Sequence, residues 1–322
     1  MLAPSPSSAS PGRHLAALAI GAALLPAAAL AAPEGWSPLM EPAELAALLE
    51  AHGDDIRVVH VTGDFSAGHI PGAGFAPYGQ WRSAPPNPGA LRSPEEFAAL
   101  ARDLGIETGT PVVVVHSGAN ATDMGAAARV YWTLKSLGVE DLALLNGGFA
   151  AWQEAGLAVS TQPVGIMPSD LSAQWSNEWR VTTEEVAQLI ETGDTRLIDA
   201  RPTDFFSGLQ WSVAAPGTIR GSANLTYESF FDGTRMRDSD FIRALAEREG
   251  FADSPLTVSF CNTGHWAAIN WFALSELAGI ENTRLYAESM AEYAAENLPL
   301  DNAPNRLTYY WRSTTRWLAD LF

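Results

Sequence analysis

The stretch LTVSFCNTGHWAAINWFALSEL, residues 256–277, combines a short apolar run, a polar turn and a longer apolar segment. The run at 256–260 predicts a buried strand, and the segment at 267–277 predicts a helix. Cys261 opens the turn between them. A thiol there would lie under the free N–H groups and the positive dipole end of the helix, which lower the pKa of a thiol and stabilise an anion beside it. Cys261 is therefore a candidate nucleophile.

Cys261 is the only cysteine among the 322 residues. It can make neither an internal disulfide nor a cysteine-cluster metal site. The alternative to a nucleophile is a buried small hydrophobic residue, the commonest fate of a free cysteine. Because the thiolate is the competent nucleophile, a reactive Cys261 is expected to have a lowered pKa and access to solvent.

The composition indicates a globular chain of two ordinary domains, with 47% hydrophobic residues, 11 Trp and 13 Phe. The formal net charge is −18, and Lys135 is the only lysine. Nucleic acid and anionic membrane are therefore not expected as partners, since both require clustered positive charge. A small anionic substrate would have to be attracted locally, by loop amides or a few arginines.

The first residues have the order of a secretory signal: a polar start with Arg13, an apolar stretch at 15–25, and small residues after Pro26. Residues 1–31 are interpreted as a signal peptide cleaved after Ala31. The alternative is a membrane anchor, but the stretch is short, alanine-rich and interrupted by proline. We expect a soluble periplasmic protein with no stable membrane association after cleavage.

The remaining chain contains the same order of elements twice. In the first half the predicted helices and strands are helix Pro42–Ala51, strand Arg57–Val61, helix Pro94–Leu104, strand Val112–Val115, helix Met124–Leu137, strand Leu142–Leu145 and helix Gly148–Ala155. In the second half they are helix Thr183–Glu191, strand Arg196–Ala200, helix Ser239–Glu249, strand Leu256–Phe260, helix Ala267–Leu277, strand Thr283–Tyr286 and helix Ser289–Asn297. Short apolar strands alternating with helices predict an α/β fold, with a mainly parallel sheet covered on both faces in each half.

The domain boundaries follow from composition. The segment Thr161–Ser176 is rich in Pro, Ser and Gln. We therefore expect a first domain at 32–165, a linker at 166–179 and a second domain at 180–322. The second domain is expected to end in an amphipathic helix at Arg306–Leu321.

Four strings, together with this order of elements, resemble the rhodanese family. They are Gly68-His69-Ile70-Pro71-Gly72-Ala73, Asn146-Gly147-Gly148-Phe149-Ala150-Ala151-Trp152, Leu197-Ile198-Asp199-Ala200-Arg201 and Cys261-Asn262-Thr263-Gly264-His265-Trp266. The likeness covers nearly all of 35–300. The resemblance implies two tandem rhodanese-like domains and a sulfurtransferase of the thiosulfate or 3-mercaptopyruvate type.

Such an enzyme would hold a sulfane sulfur on Cys261 as a persulfide and yield it to cyanide or a thiol, with no cofactor and no metal. A persulfide anion needs several donors around it, and backbone N–H groups of a loop that ends at a helix supply them. Gly264 would let this loop turn tightly with positive φ. The persulfide-binding loop is predicted to consist of Asn262, Thr263, Gly264, His265 and Trp266. The side chain of His265 has two open roles, binding an anionic substrate or supporting the loop.

The resemblance also implies supporting residues after the first strand of the second half. Asp199 and Arg201 match the family's acidic and basic positions, which support the loop and contact anionic substrate. The alternative for this pair is a surface salt bridge. Arg220 is a weaker candidate for anion binding, and Thr218 stands where the family's string has histidine. His69 keeps that place in the first half, where we interpret it as structural.

The residues of the loop do not identify the sulfur donor. Thiosulfate-specific loops of the family carry basic side chains, and mercaptopyruvate-specific loops are small and neutral. The loop here, with Asn, Thr, His and a bulky Trp, is neither. Both donors therefore stay open.

The first half has no cysteine after its strand at 112–115. His116, Ser117 and Asp123 follow instead and superficially suggest a hydrolytic set. Three such residues on one loop cannot easily align as nucleophile, base and orienting group. The first domain is therefore interpreted as a non-catalytic copy that lines the interdomain cleft and stabilises its partner.

Two other functions compete with sulfur transfer. A cysteine phosphatase also cradles a thiolate in a strand–loop–helix turn, but it needs an arginine that clamps the phosphoryl group, and residues 262–270 contain no Arg or Lys. A non-catalytic periplasmic sulfur carrier, which holds a persulfide without turnover, stays open.

Overall fold

The computed structural model describes residues 32–53, 55–193, 195–252 and 254–304, together with Met1 and Thr314. Both halves of the repeat belong to one compact unit. The predicted signal peptide and the predicted terminal helix at Arg306–Leu321 lie outside the described residues, Met1 and Thr314 apart.

The first half builds a five-stranded parallel sheet of order β1-β5-β4-β2-β3. Its elements are β1 (Leu39–Met40), α1 (Pro42–His52), β2 (Arg57–His60), β3 (Gly74–Phe75), a 3₁₀ turn (Tyr78–Trp81), α2 (Pro94–Asp103), β4 (Val112–Val115), a 3₁₀ turn (Ala121–Asp123), α3 (Met124–Ser136), β5 (Leu142–Leu145) and α4 (Gly148–Glu154).

The second half builds a four-stranded parallel sheet of order β12-β11-β6-β8. Its elements are α5 (Thr183–Thr192), β6 (Arg196–Asp199), α6 (Thr203–Phe206), β7 (Thr218–Ile219), β8 (Ala223–Asn224), a 3₁₀ turn (Tyr227–Phe230), β9 (Phe231–Asp232), β10 (Arg235–Met236), α7 (Ser239–Arg248), β11 (Thr257–Phe260), α8 (Trp266–Phe272), a π-helical turn (Ala273–Leu277), β12 (Thr283–Leu285), α9 (Ser289–Tyr293) and β13 (Leu300–Asp301). β7 pairs with β13 and β9 with β10, both antiparallel. The predicted α/β class with parallel sheets is confirmed.

The longer elements follow local sequence rules. β4 is a run of four valines that are buried on both faces, and β-branched residues favour such a central parallel strand. α2 begins at a capping box, in which Ser93 and Glu96 each accept a hydrogen bond from the other's backbone N–H, with Pro94 in the first turn. α7 begins where the Asp238 carboxylate accepts a hydrogen bond from the N–H of Phe241 at 2.8 Å.

Two predicted helices are corrected. The helix predicted at 267–277 is an α-helix only to Phe272, and the N–H of Ala278 then bonds to the carbonyl of Ala273, which widens the last turn. The helix predicted to end at Asn297 stops at Tyr293 and continues as hydrogen-bonded turns to Asn297, whose φ is +56°. The short strands, whose two residues carry almost no periodic signal, were not predicted.

The two halves pack against each other through α3 and α8. α3 is buried along nearly its whole length, and the ring of Tyr131 lies edge-on to that of Phe272 at 5.1 Å. The Tyr131 hydroxyl and the Lys135 ammonium both bond to a carboxylate oxygen of Glu276 in the other half, at 2.7 and 3.0 Å. This packing brings loops of the first half next to the turn after β11.

Candidate active site

Cys261 follows directly on β11, which lies between β12 and β6 in its sheet. Ligands of open parallel sheets bind at this carboxyl edge of the strands. The residue is only 1% exposed, so the access to solvent expected of it is not direct. It lines instead a cavity of about 430 Å³, whose other lining residues are Tyr78, Arg82, Pro88, Ser212, Asn262, Thr263, His265 and Trp266. A small donor would reach the sulfur through this cavity.

The backbone of Cys261 is anchored by α9. Its N–H donates to the Ser289 hydroxyl oxygen at 3.1 Å, and that hydroxyl donates to the carbonyl of Tyr286 at 2.7 Å. The carbonyl of Cys261 accepts from the N–H of Met290 at 3.1 Å, and the carbonyl of Asn262 accepts from Ala291 at 2.9 Å. The start of the loop is therefore fixed before any substrate arrives.

The backbone N–H groups that follow Cys261 differ from its own, because they are not bonded within the part of the protein that the structure describes. No described residue accepts a hydrogen bond from the N–H groups of residues 262–266. Gly264 has a φ of +72°, as predicted, which lets the loop curl before α8 begins. Successive unpaired N–H groups in such a turn are typical of an anion-binding site.

Asp199 and Arg201 form a buried ion pair, and both are 0% exposed. Arg201 Nε and Nη2 donate to the two Asp199 oxygens at 2.8 and 2.6 Å, so the surface salt bridge is wrong. Arg201 Nη1 donates to Asn262 Oδ1 at 3.2 Å, and the Thr218 hydroxyl donates to Asp199 Oδ2 at 2.7 Å. Arg201 therefore positions the loop, and neither residue of the pair lines the cavity.

Two side chains of the first half, Tyr78 and Arg82, close the cavity from the other side. Arg82 Nη2 donates to the carbonyl of Thr263, and Nη1 donates to the Tyr78 hydroxyl, both at 2.6 Å. The Tyr78 hydroxyl lies 3.1 Å from His265 Nδ1. The first half therefore contributes directly to the cavity that contains Cys261.

The hydrogen bonds of His265 assign its tautomer. Nε2 lies 2.9 Å from the carbonyl of Thr122, which can only accept, so Nε2 carries the proton. Nδ1 then accepts from Tyr78. Burial, and to a smaller extent the charge of Arg82, lowers the pKa of His265 to about 4. His265 is therefore neutral at pH 7 and supports the loop.

Arg129 lies beneath the loop, fully buried on α3. Its guanidinium donates to three backbone carbonyls, those of Gly89 at 3.0 Å and of Gly264 and Ala287 at 3.4 Å each. Burial lowers its pKa to about 10, so it still carries a positive charge at pH 7. The first half thus places a fixed cation under the Cys261 loop.

Trp266 forms one wall of the cavity. Its ring stacks on that of Tyr227 at 5.3 Å, with 5° between the planes, and its Nε1–H donates to the Thr122 hydroxyl. The bulky wall is therefore held from both halves of the chain.

The other sequence candidates lie elsewhere. Arg220 is exposed and lines a separate cavity with residues such as Leu189, so the structure does not bring it to Cys261. His69 is buried and its ring nitrogens lie near the carbonyls of Phe65 and Gln162, which fits the structural role predicted for it.

The loop after β4 in the first half does not form a hydrolytic set. The Ser117 hydroxyl donates to Asp123 Oδ2 and not to His116, so the histidine is not placed to take its proton. Both ring nitrogens of His116 are buried with no hydrogen-bond partner among the described residues. No cluster of His, Cys, Asp and Glu able to hold a metal occurs in the part of the chain that the structure describes.

The chain matches the description "Rhodanese-like domain" twice, over residues 41–155 and 182–296. It therefore belongs to the rhodanese-like domain family, as a tandem of two such domains.

Its relatives place it among the sulfurtransferases of that family. It is 28% identical to a "Putative thiosulfate sulfurtransferase" of Synechococcus elongatus, over 74% of this chain and 77% of that protein. It is 29% identical to the "3-mercaptopyruvate sulfurtransferase" of Escherichia coli, over 75% of this chain and 86% of that protein. Among solved structures, that of SseA from Escherichia coli shares the fold, with a TM-score of 0.69 and 24% identity over 79% of this chain and 98% of that chain.

Proposed function

We propose that this sulfurtransferase works through a persulfide on Cys261, taking sulfur from thiosulfate or a similar anionic donor. The Cys261 thiolate attacks the outer sulfur of thiosulfate, the S–S bond breaks, and sulfite leaves with the bonding electron pair. Cyanide or a thiolate then attacks the outer sulfur of the persulfide. Thiocyanate, or a new persulfide, leaves and the Cys261 thiolate is regenerated.

One observation supports this proposal most strongly: Cys261 lies at a cavity beside the unpaired N–H groups of residues 262–266. A persulfide buried without donors would be unstable, and these groups satisfy it without a metal or a cofactor. Because the Cys261 backbone is anchored to Ser289, the sulfur keeps its place while the acceptor binds. A cysteine that served only as a buried small hydrophobic residue would need neither the cavity nor the free N–H groups.

The alternative donor is 3-mercaptopyruvate, and its carboxylate carries the same kind of charge as thiosulfate. The relatives include proteins named for each donor. Rates of persulfide formation with the two donors, compared at equal concentration, will assign the preference.

Steady-state turnover distinguishes an enzyme from a sulfur carrier. The expected result is continuous, cyanide-dependent release of thiocyanate from thiosulfate over many turnovers, abolished in Cys261→Ser. Release of no more than one thiocyanate per protein molecule would support the carrier instead.

We further propose that the protein is exported to a periplasm with residues 1–31 removed. The support is the sequence order of charge, apolar stretch and small residues. Among the described residues, no helix has the length and apolar character needed to cross a membrane. Cell fractionation with N-terminal sequencing tests this, and a mature chain beginning at Ala32 is expected. An intact N-terminus in the cytoplasmic fraction would contradict it.

A further inference from the structure

Arg82 is the only cationic side chain among the residues that line the Cys261 cavity in the described structure. The single histidine there, His265, is neutral at pH 7 because its pKa is about 4. Arg129 and Arg201 lie nearby, but both are fully buried and bonded to the loop and its surroundings, outside the lining. Among the side chains that line the cavity, recognition of a charged group therefore falls to Arg82.

The guanidinium of Arg82 is held in place but not neutralised. Its two hydrogen bonds go to uncharged oxygens, the Tyr78 hydroxyl and the carbonyl of Thr263. It lies over the Tyr78 ring, with 5.2 Å from Cζ to the ring centroid. No described carboxylate lies within ion-pair distance of Arg82. A fixed guanidinium with an unneutralised charge is well suited to an oxyanion.

The overall charge of the protein gives a local cation a clear role. With a formal net charge of −18, the protein repels an anionic donor at long range. Neither the loop nor the described part of the second half supplies a cation to the cavity lining. The attraction has to arise inside the cavity, within the distance over which salt does not screen it.

We propose that Arg82 of the first domain binds the anionic group of the sulfur donor, a sulfonate or a carboxylate, and thereby selects anionic donors for Cys261. This inference rests on the proposed reaction at Cys261. It also changes the interpretation of the first domain, which lacks the nucleophile but supplies the specificity-determining residue. The bond from Arg82 to Thr263 fixes the guanidinium at the rim of the same loop that receives the sulfur.

Alkylation of the single cysteine tests Arg82 without requiring sulfur transfer. Iodoacetate and iodoacetamide differ in charge but little in size, and Cys261 is the only thiol that either can modify. In Arg82→Gln the rate with iodoacetate is expected to fall about tenfold relative to the rate with iodoacetamide, as for loss of a charged hydrogen bond. Arg82→Lys, which keeps the charge, should retain most of the preference for iodoacetate, and Arg243→Gln, an exposed change on α7, should retain all of it.

Equal changes in both rates, or no change in either, would overturn the proposal, because Arg82 would then act only on the shape of the loop.

A second experiment measures the rate of persulfide formation against donor concentration. Arg82→Gln should raise the half-saturating concentrations of thiosulfate and 3-mercaptopyruvate about tenfold and leave the limiting rate nearly unchanged. If the wild-type protein forms no persulfide, the proposed reaction fails, while the alkylation ratio still decides whether Arg82 binds anions.

Discussion

Replacement of Gly264 by alanine tests whether the backbone of the Cys261 loop is as tightly determined as the structure indicates. Gly264 has a φ of +72°, a conformation that residues with a Cβ rarely adopt. An added Cβ would lie 2.4 Å from the carbonyl oxygen of Ala287 and 2.2 Å from Arg129 Nη1. The first of these atoms belongs to backbone that leads into α9, so it cannot move away freely.

The expected loss of stability in Gly264→Ala has two parts. The left-handed conformation costs an alanine about 1–2 kcal/mol. The overlap with the Ala287 carbonyl adds the strain of an overpacked core, about 1–3 kcal/mol. Gly264→Ala should therefore lower the free energy of unfolding by about 2–5 kcal/mol. Gly279→Ala is the matched control, because its φ is +74° but nothing lies within 4 Å of its Cβ, and only the first part applies.

Urea denaturation of the wild-type protein and both variants measures the difference, and iodoacetamide alkylation of Cys261 reports the loop directly. Gly264→Ala should be the less stable variant by about 1–3 kcal/mol and should change the alkylation rate, whereas Gly279→Ala should leave that rate unchanged. Equal stabilities for the two variants, with equal alkylation rates, would refute the view that the loop backbone is fixed against Ala287 and Arg129.

Three further predictions concern buried polar groups. Asp199→Asn leaves the buried guanidinium of Arg201 without its counter-charge and should lower the free energy of unfolding by about 3–5 kcal/mol in urea denaturation. Burial lowers the pKa of His116 to about 4, so between pH 6.5 and 4 the unfolded chain binds the proton and the folded chain does not. Stability is therefore lost as the pH falls through this window, and His116→Leu should reduce that loss by about 3 kcal/mol in denaturation series at several pH values. Tyr78→Phe removes the hydroxyl between Arg82 and His265 and should cost about 1–3 kcal/mol in the same assay, because it leaves a partly buried ring nitrogen without a donor.

Each of these predictions has a result that contradicts it. Asp240→Asn breaks an ion pair whose acid is 94% exposed, so a cost equal to that of Asp199→Asn would show that burial of the pair is unimportant. His116→Leu should remove only part of the stability loss at low pH, because burial also lowers the pKa values of His60 and His265. If the free energy of unfolding of His116→Leu changes with pH as in the wild-type protein, His116 does not titrate in this window. If Tyr78→Phe is as stable as the wild-type protein, the bond from Tyr78 to His265 is excluded.

The fold was predictable because its signals are local. The run Val112–Val115 indicates a central strand by composition alone, and its bounds match the structure. The turn Cys261–Trp266 was recognisable because a thiol, a glycine and a helix start follow one another within six residues. These features are determined by residues that are adjacent in the chain, so they can be recognised from the sequence alone.

The missed site residues depend on how the two halves pack. Tyr78, Arg82 and Arg129 are far from Cys261 in the chain and carry no motif that connects them to it. They reach the loop because α3 packs on α8, and that contact is set by the fit of two apolar surfaces. The burial of Cys261 was missed for the same reason, since the first half covers a strand end that would otherwise face solvent.

Intact-mass measurement after exposure to thiosulfate tests the persulfide on Cys261 most directly. The wild-type protein is expected to gain the mass of one sulfur atom, to lose it when cyanide is added, and to release thiocyanate in equal amount. Cys261→Ser should gain nothing, and 3-mercaptopyruvate provides the second donor. No adduct on the wild-type protein with either donor, or the same adduct on Cys261→Ser, would contradict the assignment of sulfur transfer to Cys261.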